Sequence, residues 1–332
     1  MTMRVAVIGG GSWGTAFASL LAGTGNDVTL VLRDAEIADG LARSHRSARY
    51  LPGASLAPSL AFSTDQRASV MGAELVVLAV PSRAFVEVCR SLAASLPEQA
   101  AVLSLTKGLE PRTGRRLSLV AGEELGIPVN RVAVLSGPNH AEEVARGTPA
   151  ATVIASADES LARLLQHVVA SPMMRVYASG DVIGVELCAA AKNVIAVAAG
   201  ISDGLGLGDN AKAALITRGL AEMGRLGAAF GADPRTFAGL AGLGDLVATC
   251  CSRHSRNRRA GELLAEGVAP GEVEERIGMV AEGLATAPVL RDVAREAGVE
   301  LPITERVCAV LGGESPERSV AALMARDRAS EY

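Results

Sequence analysis

The sequence predicts an α/β N-terminal domain built on a doubly wound, parallel sheet, followed by an all-α C-terminal domain. Three observations carry this expectation. Short β-branched runs alternate with helical stretches through the first half, the pattern of strands joined by crossover helices. The first of those runs leads directly into a glycine-rich turn at residues 9–14. After about Gly180 the strand pattern stops, and only helical stretches joined by short loops follow. A chain of 332 residues is long enough for two domains, which places them at residues 1–180 and 181–332.

Arg4 to Ile8 reads as the first strand, and Thr15 to Leu21 as a helix stopped by Gly23 and Gly25. Between them Gly9-Gly10-Gly11-Ser12-Trp13-Gly14 is a GxGxxG turn. Gly9 permits the tight turn, Gly11 lets the backbone approach a pyrophosphate, and Gly14 lets helix and strand pack closely, while the helix start presents N–H groups to the anion. In this strand, turn and helix setting the motif points to a Rossmann-type domain that binds a dinucleotide; the alternative is a glycine-rich turn without a ligand. The second strand, Asp27 to Leu32, ends at Arg33. An acidic residue at this distance from the turn would accept from a ribose 2′-hydroxyl, whereas arginine suits a 2′-phosphate. Asp34 follows at once, and Arg46, Arg49 and Tyr50 lie in the next segment, so the cofactor expected is NADPH or NADH with a lean towards NADPH. A solvated surface arginine is the other reading of Arg33.

Further strands are expected at Leu75–Val80, Ala101–Leu105, Val132–Leu135, Ala150–Ala155 and Met174–Tyr177, with helices around Ala84–Ser95, Gly114–Leu125 and Glu159–Val169. Doubly wound sheets bind ligands outside the carboxyl ends of their strands. Three such ends carry suggestive chemistry: Val80-Pro81-Ser82, Thr106-Lys107-Gly108 and Ser136-Gly137-Pro138-Asn139. A cation at Lys107 could hold a substrate oxygen or a phosphate there, although spacing alone allows a capping surface lysine equally well.

The helical half begins with the most informative stretch, VIGVELCAAAKNVIAVAAGI at residues 182–201, in which Lys192 and Asn193 interrupt an almost wholly apolar run. At helical spacing Lys192 shares a face with Val185, Cys188, Ala189, Ile195, Ala196 and Ala199, and the next face is equally apolar. A helix apolar all round is a buried helix. Burial disfavours an ammonium, so Lys192 must find acceptors or lower its pKa, and a lysine of that kind can exchange protons near neutral pH. The bland reading is a lysine whose tip reaches water or a carboxylate through a gap. Further helices are expected at Asn210–Phe230, Asn257–Glu266, Ala281–Ala297, Ile303–Leu311 and Val320–Ala325. Two loops stand out: Ser202 to Gly208, read as flexible, and the glycine-rich turn from Gly239 that ends in the carboxylate of Asp245. Four arginines then fall within residues 253–259. Ser255 is a candidate N-cap, which would put Arg256 and Asn257 at a helix start, a natural phosphate site; a solvated basic face is the alternative.

Composition narrows the classes. Hydrophobic residues make up 49% and aromatics only 3%, so the core must be aliphatic. A net charge of −4 gives no basis for binding nucleic acid across the whole surface. Five cysteines without a CxxC spacing suit a reducing compartment, and four histidines without an HExxH pair give no support for a metal. No leader pattern precedes the first strand, so the cytoplasm is the expected location. The apolar stretch around Lys192 holds Glu186, Lys192 and Asn193, which argues against a membrane span.

Taken together, the segments GGGSWGTA, LSLTKGLE, LSGPNHAEE, VELCAAAKNVIAVAAGISDGLGLGDNAKAALITRGLAEM, AGLGDLVATC, SRNRR and VAEG closely resemble the soluble NAD(P)-dependent glycerol-3-phosphate dehydrogenases of the bacterial type. The resemblance covers nearly the whole chain. It implies Lys192 as the proton acceptor in alcohol oxidation, with Lys107, Gly137, Asp245, Ser255, Arg256 and Asn257 around the glycerol phosphate and Asn193 beside it. It also implies Ser12, Trp13, Arg33, Tyr50, Lys107, Ala141, Arg256, Val280 and Glu282 at the cofactor. The family often has Ser or Thr after Gly-Pro where this chain has Asn139, so an amide would replace a hydroxyl there as a donor. Reduction, feeding glycerophospholipid synthesis, is the direction the resemblance implies.

Two other classes remain open on the residues alone: a two-domain dehydrogenase acting on a 3-hydroxy acid, and a regulatory protein that senses NAD(P) without turnover. The partners expected are a phosphorylated small molecule and, if the chain assembles, a second copy in a homodimer. No nucleic acid and no integral membrane association are expected.

Overall fold

A computed structural model describes residues 2–325. Eight strands form one sheet: β1 (Arg4–Ile8), β2 (Asp27–Val31), β3 (Ala61–Ser63), β4 (Leu75–Leu78), β5 (Ala101–Ser104), β6 (Val132–Ser136), β7 (Ala150–Ser156) and β8 (Met174–Ser179). Their order is β3-β2-β1-β4-β5-β6-β7-β8. Alternate residues of each strand face opposite sides, so Val5 and Val7 join a core with Phe17, Leu21 and Leu165. Ala6 and Ile8 join another with Phe85, Leu92 and Val120. Both faces are covered by helices, which is why the strands read as continuous apolar runs. The order reverses between β1 and β4, opening a crevice at their carboxyl ends.

The sheet departs from the expectation in two places. The short edge strand β3 pairs with β2 and went unread, because three residues carry no visible alternation. In addition β7 runs antiparallel to β6, with Val134 opposite Ala155, whereas all strands were expected parallel. The physical reason lies in the connection: only a five-residue helix, Ala141–Ala145, separates the two strands, too short to carry the chain back along the sheet.

The helical half is organised around the 23-residue helix Val182–Gly204. Gly208–Ala229, Asp245–Cys251, Arg256–Ala265 and Glu282–Glu296 pack around it, and Pro302–Leu311 closes the bundle. The central helix has the length and mean hydropathy, 1.8, of a membrane span, yet 83% of that window is buried inside the protein. Two loops read from the sequence are helical instead. Ser202 and Asp203 belong to the central helix, and Leu240–Gly244 is a π-helical turn continuous with Asp245–Cys251. Glycine is rare inside helices, but a β-carbon at Gly242 would overlap the Phe237 carbonyl, so only glycine lets the turn close. The last helix, Pro316–Met324, starts earlier than expected because Ser315 caps it by accepting from Arg318 N.

Candidate active site

Lys192 lies in the middle of the central helix and is 4% exposed. Its Nζ donates to Asp245 Oδ1 at 2.8 Å and to Thr249 Oγ1 at 2.8 Å. Asp245 and Thr249 sit one turn apart on the same short helix and so present both acceptors together. The other carboxylate oxygen, Asp245 Oδ2, accepts from Lys107 Nζ at 2.9 Å and from Ser136 Oγ at 3.2 Å. Lys107 Nζ also donates to Gly137 O at 3.2 Å and to Asn139 Oδ1 at 3.1 Å. Two ammonium groups thus share one buried carboxylate at the carboxyl ends of β5 and β6.

The electrostatics follow from that arrangement. Burial pushes the Lys192 ammonium down to about 8, with the Asp245 carboxylate opposing and Lys107 reinforcing the shift. For Asp245, burial alone would raise the carboxyl, but the Lys107 and Lys192 ammoniums outweigh it and hold the group below the usual carboxylate range. The result is a lysine poised to exchange a proton near neutral pH, beside a carboxylate that stays ionised.

Asn139 is nearly fully buried, and its amide is engaged at both ends: Oδ1 accepts from Lys107, while Nδ2 donates to Thr152 Oγ1 at 3.0 Å. Asn193 is likewise tied, donating to Lys107 O at 3.3 Å and accepting from Asn257 Nδ2 at 2.8 Å. Asn257 Oδ1 in turn accepts from Gly283 N at 2.9 Å. An amide chain therefore links the Lys107 strand end, the central helix and the helices beginning at Arg256 and Glu282.

The glycine-rich turn has the geometry a pyrophosphate requires. Gly9 has φ +118, and a β-carbon there would overlap the Ala79 carbonyl. A β-carbon at Gly14 would overlap the Gly9 carbonyl, whereas one at Gly11 would meet open space. Gly11 precedes the helix Ser12–Gly23 and no side chain caps it, so the first N–H groups remain for an anion. Trp13 Nε1 is a buried donor without a hydrogen-bond partner among the described residues. Ala141 begins the short helix that packs against Ser12–Gly23. From the helical half, Met279 Sδ lies 3.7 Å from Ser12 Oγ, and Val280 is the next residue in the chain. Glu282 accepts from Ser82 N at 3.1 Å and from Ser82 Oγ at 2.5 Å, at the end of β4. Arg33 is exposed beyond β2 and Tyr50 half-buried, with the Arg49 guanidinium 5.3 Å over its ring.

Ser255 caps the helix Arg256–Ala265, accepting from Arg258 N at 3.2 Å. Arg256 is exposed at the first helical position and forms no ion pair with a described residue. Its two neighbours differ. Arg258 pairs with Asp203 at 2.5 Å and Glu262 at 2.9 Å, and Arg259 pairs with Glu262 and Glu266 at 3.0 Å. The basic cluster is thus neither wholly solvated nor wholly a ligand site: Arg258 holds the fold together.

Sequence reasoning missed Thr249 and Thr152, and it names Ser136 and Ser82 only within strand ends, without a contact for either. Thr249 had a signal, its position four residues after Asp245, hidden because LVATC reads as an apolar run. The other three are contacts made only by folding. Among the described residues no group of three His, Cys, Asp or Glu side chains could hold a metal.

Two family profiles match the chain: the N-terminal domain of NAD-dependent glycerol-3-phosphate dehydrogenase over residues 4–162 and the C-terminal domain over residues 181–322. A glycerol-3-phosphate dehydrogenase (NAD(P)+) of Moorella thermoacetica is 49% identical, covering 100% of this chain and 98% of that protein. One from Anaeromyxobacter dehalogenans is 48% identical over 99% of this chain and its own full length. The crystal structure of a glycerol-3-phosphate dehydrogenase from Coxiella burnetii superposes with a TM-score of 0.93 at 41% identity, covering 98% of this chain and 99% of the other.

Proposed function

The chain belongs to the NAD-dependent glycerol-3-phosphate dehydrogenase family, and from that premise we propose how its own residues interconvert sn-glycerol 3-phosphate and dihydroxyacetone phosphate. It is an NAD(P)-dependent oxidoreductase. The observation that carries the mechanism is Lys192, buried and bonded to an Asp245 that also holds Lys107.

Bound NAD(P)H supplies the hydride that turns the ketone carbon into the carbon of a secondary alcohol. The protein has three tasks. Lys192 gives a proton to the carbonyl oxygen as negative charge develops there, becomes neutral, and regains the proton from solvent; in oxidation the same amine takes the hydroxyl proton. Asp245 holds Lys192 and Lys107 in place, and Lys107 directs its positive charge at the reacting oxygens. Arg256 anchors the phosphate at the start of its helix, with Ser255 and Asn257 shaping that end of the site. Gly137 and Asn139 support Lys107 from the end of β6.

An exposed arginine at a helix start, with no ion pair to a described residue and the Glu282 carboxylate only at longer range, favours a phosphorylated substrate over a bare 3-hydroxy acid. A sensor needs no buried amine. For the cofactor, Arg33 favours NADPH. The adjacent carboxylate of Asp34 caps the helix Ala35–Ser44 through Oδ1, accepting from Ile37 N at 3.1 Å. The free cysteines suit the cytoplasm, where reduction would supply glycerol 3-phosphate for lipid synthesis.

Arg256→Ala tests the anchor. Losing a charge-assisted hydrogen bond should lower kcat/KM for dihydroxyacetone phosphate by on the order of 1.5–3 kcal/mol. The defect should be much smaller for dihydroxyacetone, which has no phosphate, and added phosphite should stimulate that truncated reaction only in the wild type. Arg259→Ala is the control and should change little; Arg258 is unsuitable because its ion pairs are structural. An equal loss in Arg256→Ala and Arg259→Ala that salt abolishes would indicate steering by the basic cluster instead.

A further inference from the structure

Two helices carry the two ends of the proposed site, and they meet backbone to backbone. The contacts begin at Asn193 and Asn257 and end at Gly204 and Ala265, so both helices are followed from N-terminal to C-terminal side. Asn193 is hydrogen-bonded to Asn257, and a β-carbon on Gly261 would overlap the Val197 carbonyl. One on Gly200 would overlap the Arg258 carbonyl, and one on Gly204 would come within 2.6 Å of the Ala265 methyl. The helices Val182–Gly204 and Arg256–Ala265 therefore run side by side in the same direction, and Lys192 and Arg256 both lie towards their N-terminal ends from this contact. Each helix is a rigid arm: Lys192 stands about 12 Å along its axis from Gly200, and Arg256 about 7.5 Å from Gly261. Asp203 clamps the pair, accepting from Arg258 Nε at 2.5 Å and Lys212 Nζ at 2.6 Å.

We infer that the Gly200–Gly261 contact is the gauge that sets the separation between the proton-transferring amine of Lys192 and the phosphate anchor at Arg256, which makes these glycines positioning residues for substrates whose carbonyl and phosphate are covalently joined. The inference rests on the reading of Lys192 and Arg256 proposed above. Neither glycine touches substrate. Widening the contact by a methyl group shifts one arm against the other, and no rotamer change relieves the overlap, because the atoms met are backbone.

The test measures Gly261→Ala and Gly200→Ala with dihydroxyacetone phosphate, with dihydroxyacetone, and with dihydroxyacetone plus phosphite. NADPH affinity by fluorescence and Tm are recorded alongside. A displacement of around an ångström should lower kcat/KM for the phosphorylated substrate by roughly 100-fold. Dihydroxyacetone should react at nearly the wild-type rate, and phosphite should still stimulate it, because two unlinked pieces can each follow their own subsite. NADPH affinity should be unchanged. A merely structural role predicts a parallel loss with both substrates, and that result overturns the gauge, as does an undiminished rate with dihydroxyacetone phosphate in both variants.

Gly204→Ala meets the Ala265 methyl at 2.6 Å and the Glu262 carbonyl at 3.1 Å, a milder backbone approach than at the other two glycines, and keeps the question answerable if those variants do not fold. It should give a smaller loss with the same bias towards the phosphorylated substrate, and an unbiased loss overturns the gauge as well. Failure of the anchor reading looks different: the wild type itself would then gain nothing from phosphite, and Arg256→Ala would cost both substrates alike.

Discussion

Lys192→Ala should bind NADPH with nearly wild-type affinity and lose roughly 10²–10⁴ in kcat, the usual worth of a positioned acid and base. The expectation follows from where the amine sits. No exposed lysine could exchange a proton efficiently at neutral pH, but burial has brought this one down to about 8. The change removes the only group that the proposed chemistry uses for proton transfer, while the glycine-rich turn lies on another element and is untouched. Truncation also leaves Asp245 with Lys107 still bonded at 2.9 Å, so the carboxylate keeps a charge partner and the variant should fold. Stopped-flow fluorescence for NADPH binding and absorbance at 340 nm for turnover separate the two quantities. Retained turnover would remove Lys192 from the mechanism.

Asp245→Ala is expected to have a larger effect on stability than any other single change in the site. It leaves Lys107 and Lys192 facing each other without the carboxylate they share, and breaking a buried pair of this kind costs roughly 3–5 kcal/mol. Thermal unfolding should show a marked fall in Tm together with the loss of turnover. Asp245→Asn separates the electrostatic role from packing. It keeps the shape and one acceptor but removes the charge, so the ammonium of Lys192 should become a stronger acid by roughly 1–3 pKa units. The pH at which reduction fails should move down by that amount while the fold survives. If Asp245→Ala unfolds no more easily than the wild type, the two lysines do not depend on the carboxylate.

Much of this site was legible in the sequence because its central element is unusual. An all-round apolar helix with one lysine announces burial, and a buried lysine needs acceptors; both of Lys192's partners proved to lie on one turn of a distant helix. The GxGxxG turn was equally legible, since Gly9 and Gly14 answer separate steric demands that the backbone makes. What escaped depended on competition between roles. Asp34 also caps a helix, and that helix, Ala35–Ser44, is absent from the sequence reading. The glycines of residues 239–244 were read as a turn, because glycine disfavours helix intrinsically and the close approach to Phe237 that demands it arises only from tertiary packing. The reversal of β7 followed from a connection whose length was visible but whose helix was not.

The most direct test of the central claim, that Lys192 moves the proton, is the pH dependence of kcat/KM measured in both directions on one preparation. This parameter reports the titrating groups of the free enzyme. Reduction of dihydroxyacetone phosphate needs the ammonium, so its kcat/KM should be high at lower pH and fall as the pH rises through about 8. Oxidation of glycerol 3-phosphate needs the neutral amine, so its kcat/KM should rise through the same value. Opposite slopes that cross near one pH are the predicted result; profiles that rise or fall together, or that show no break near 8, would contradict the account.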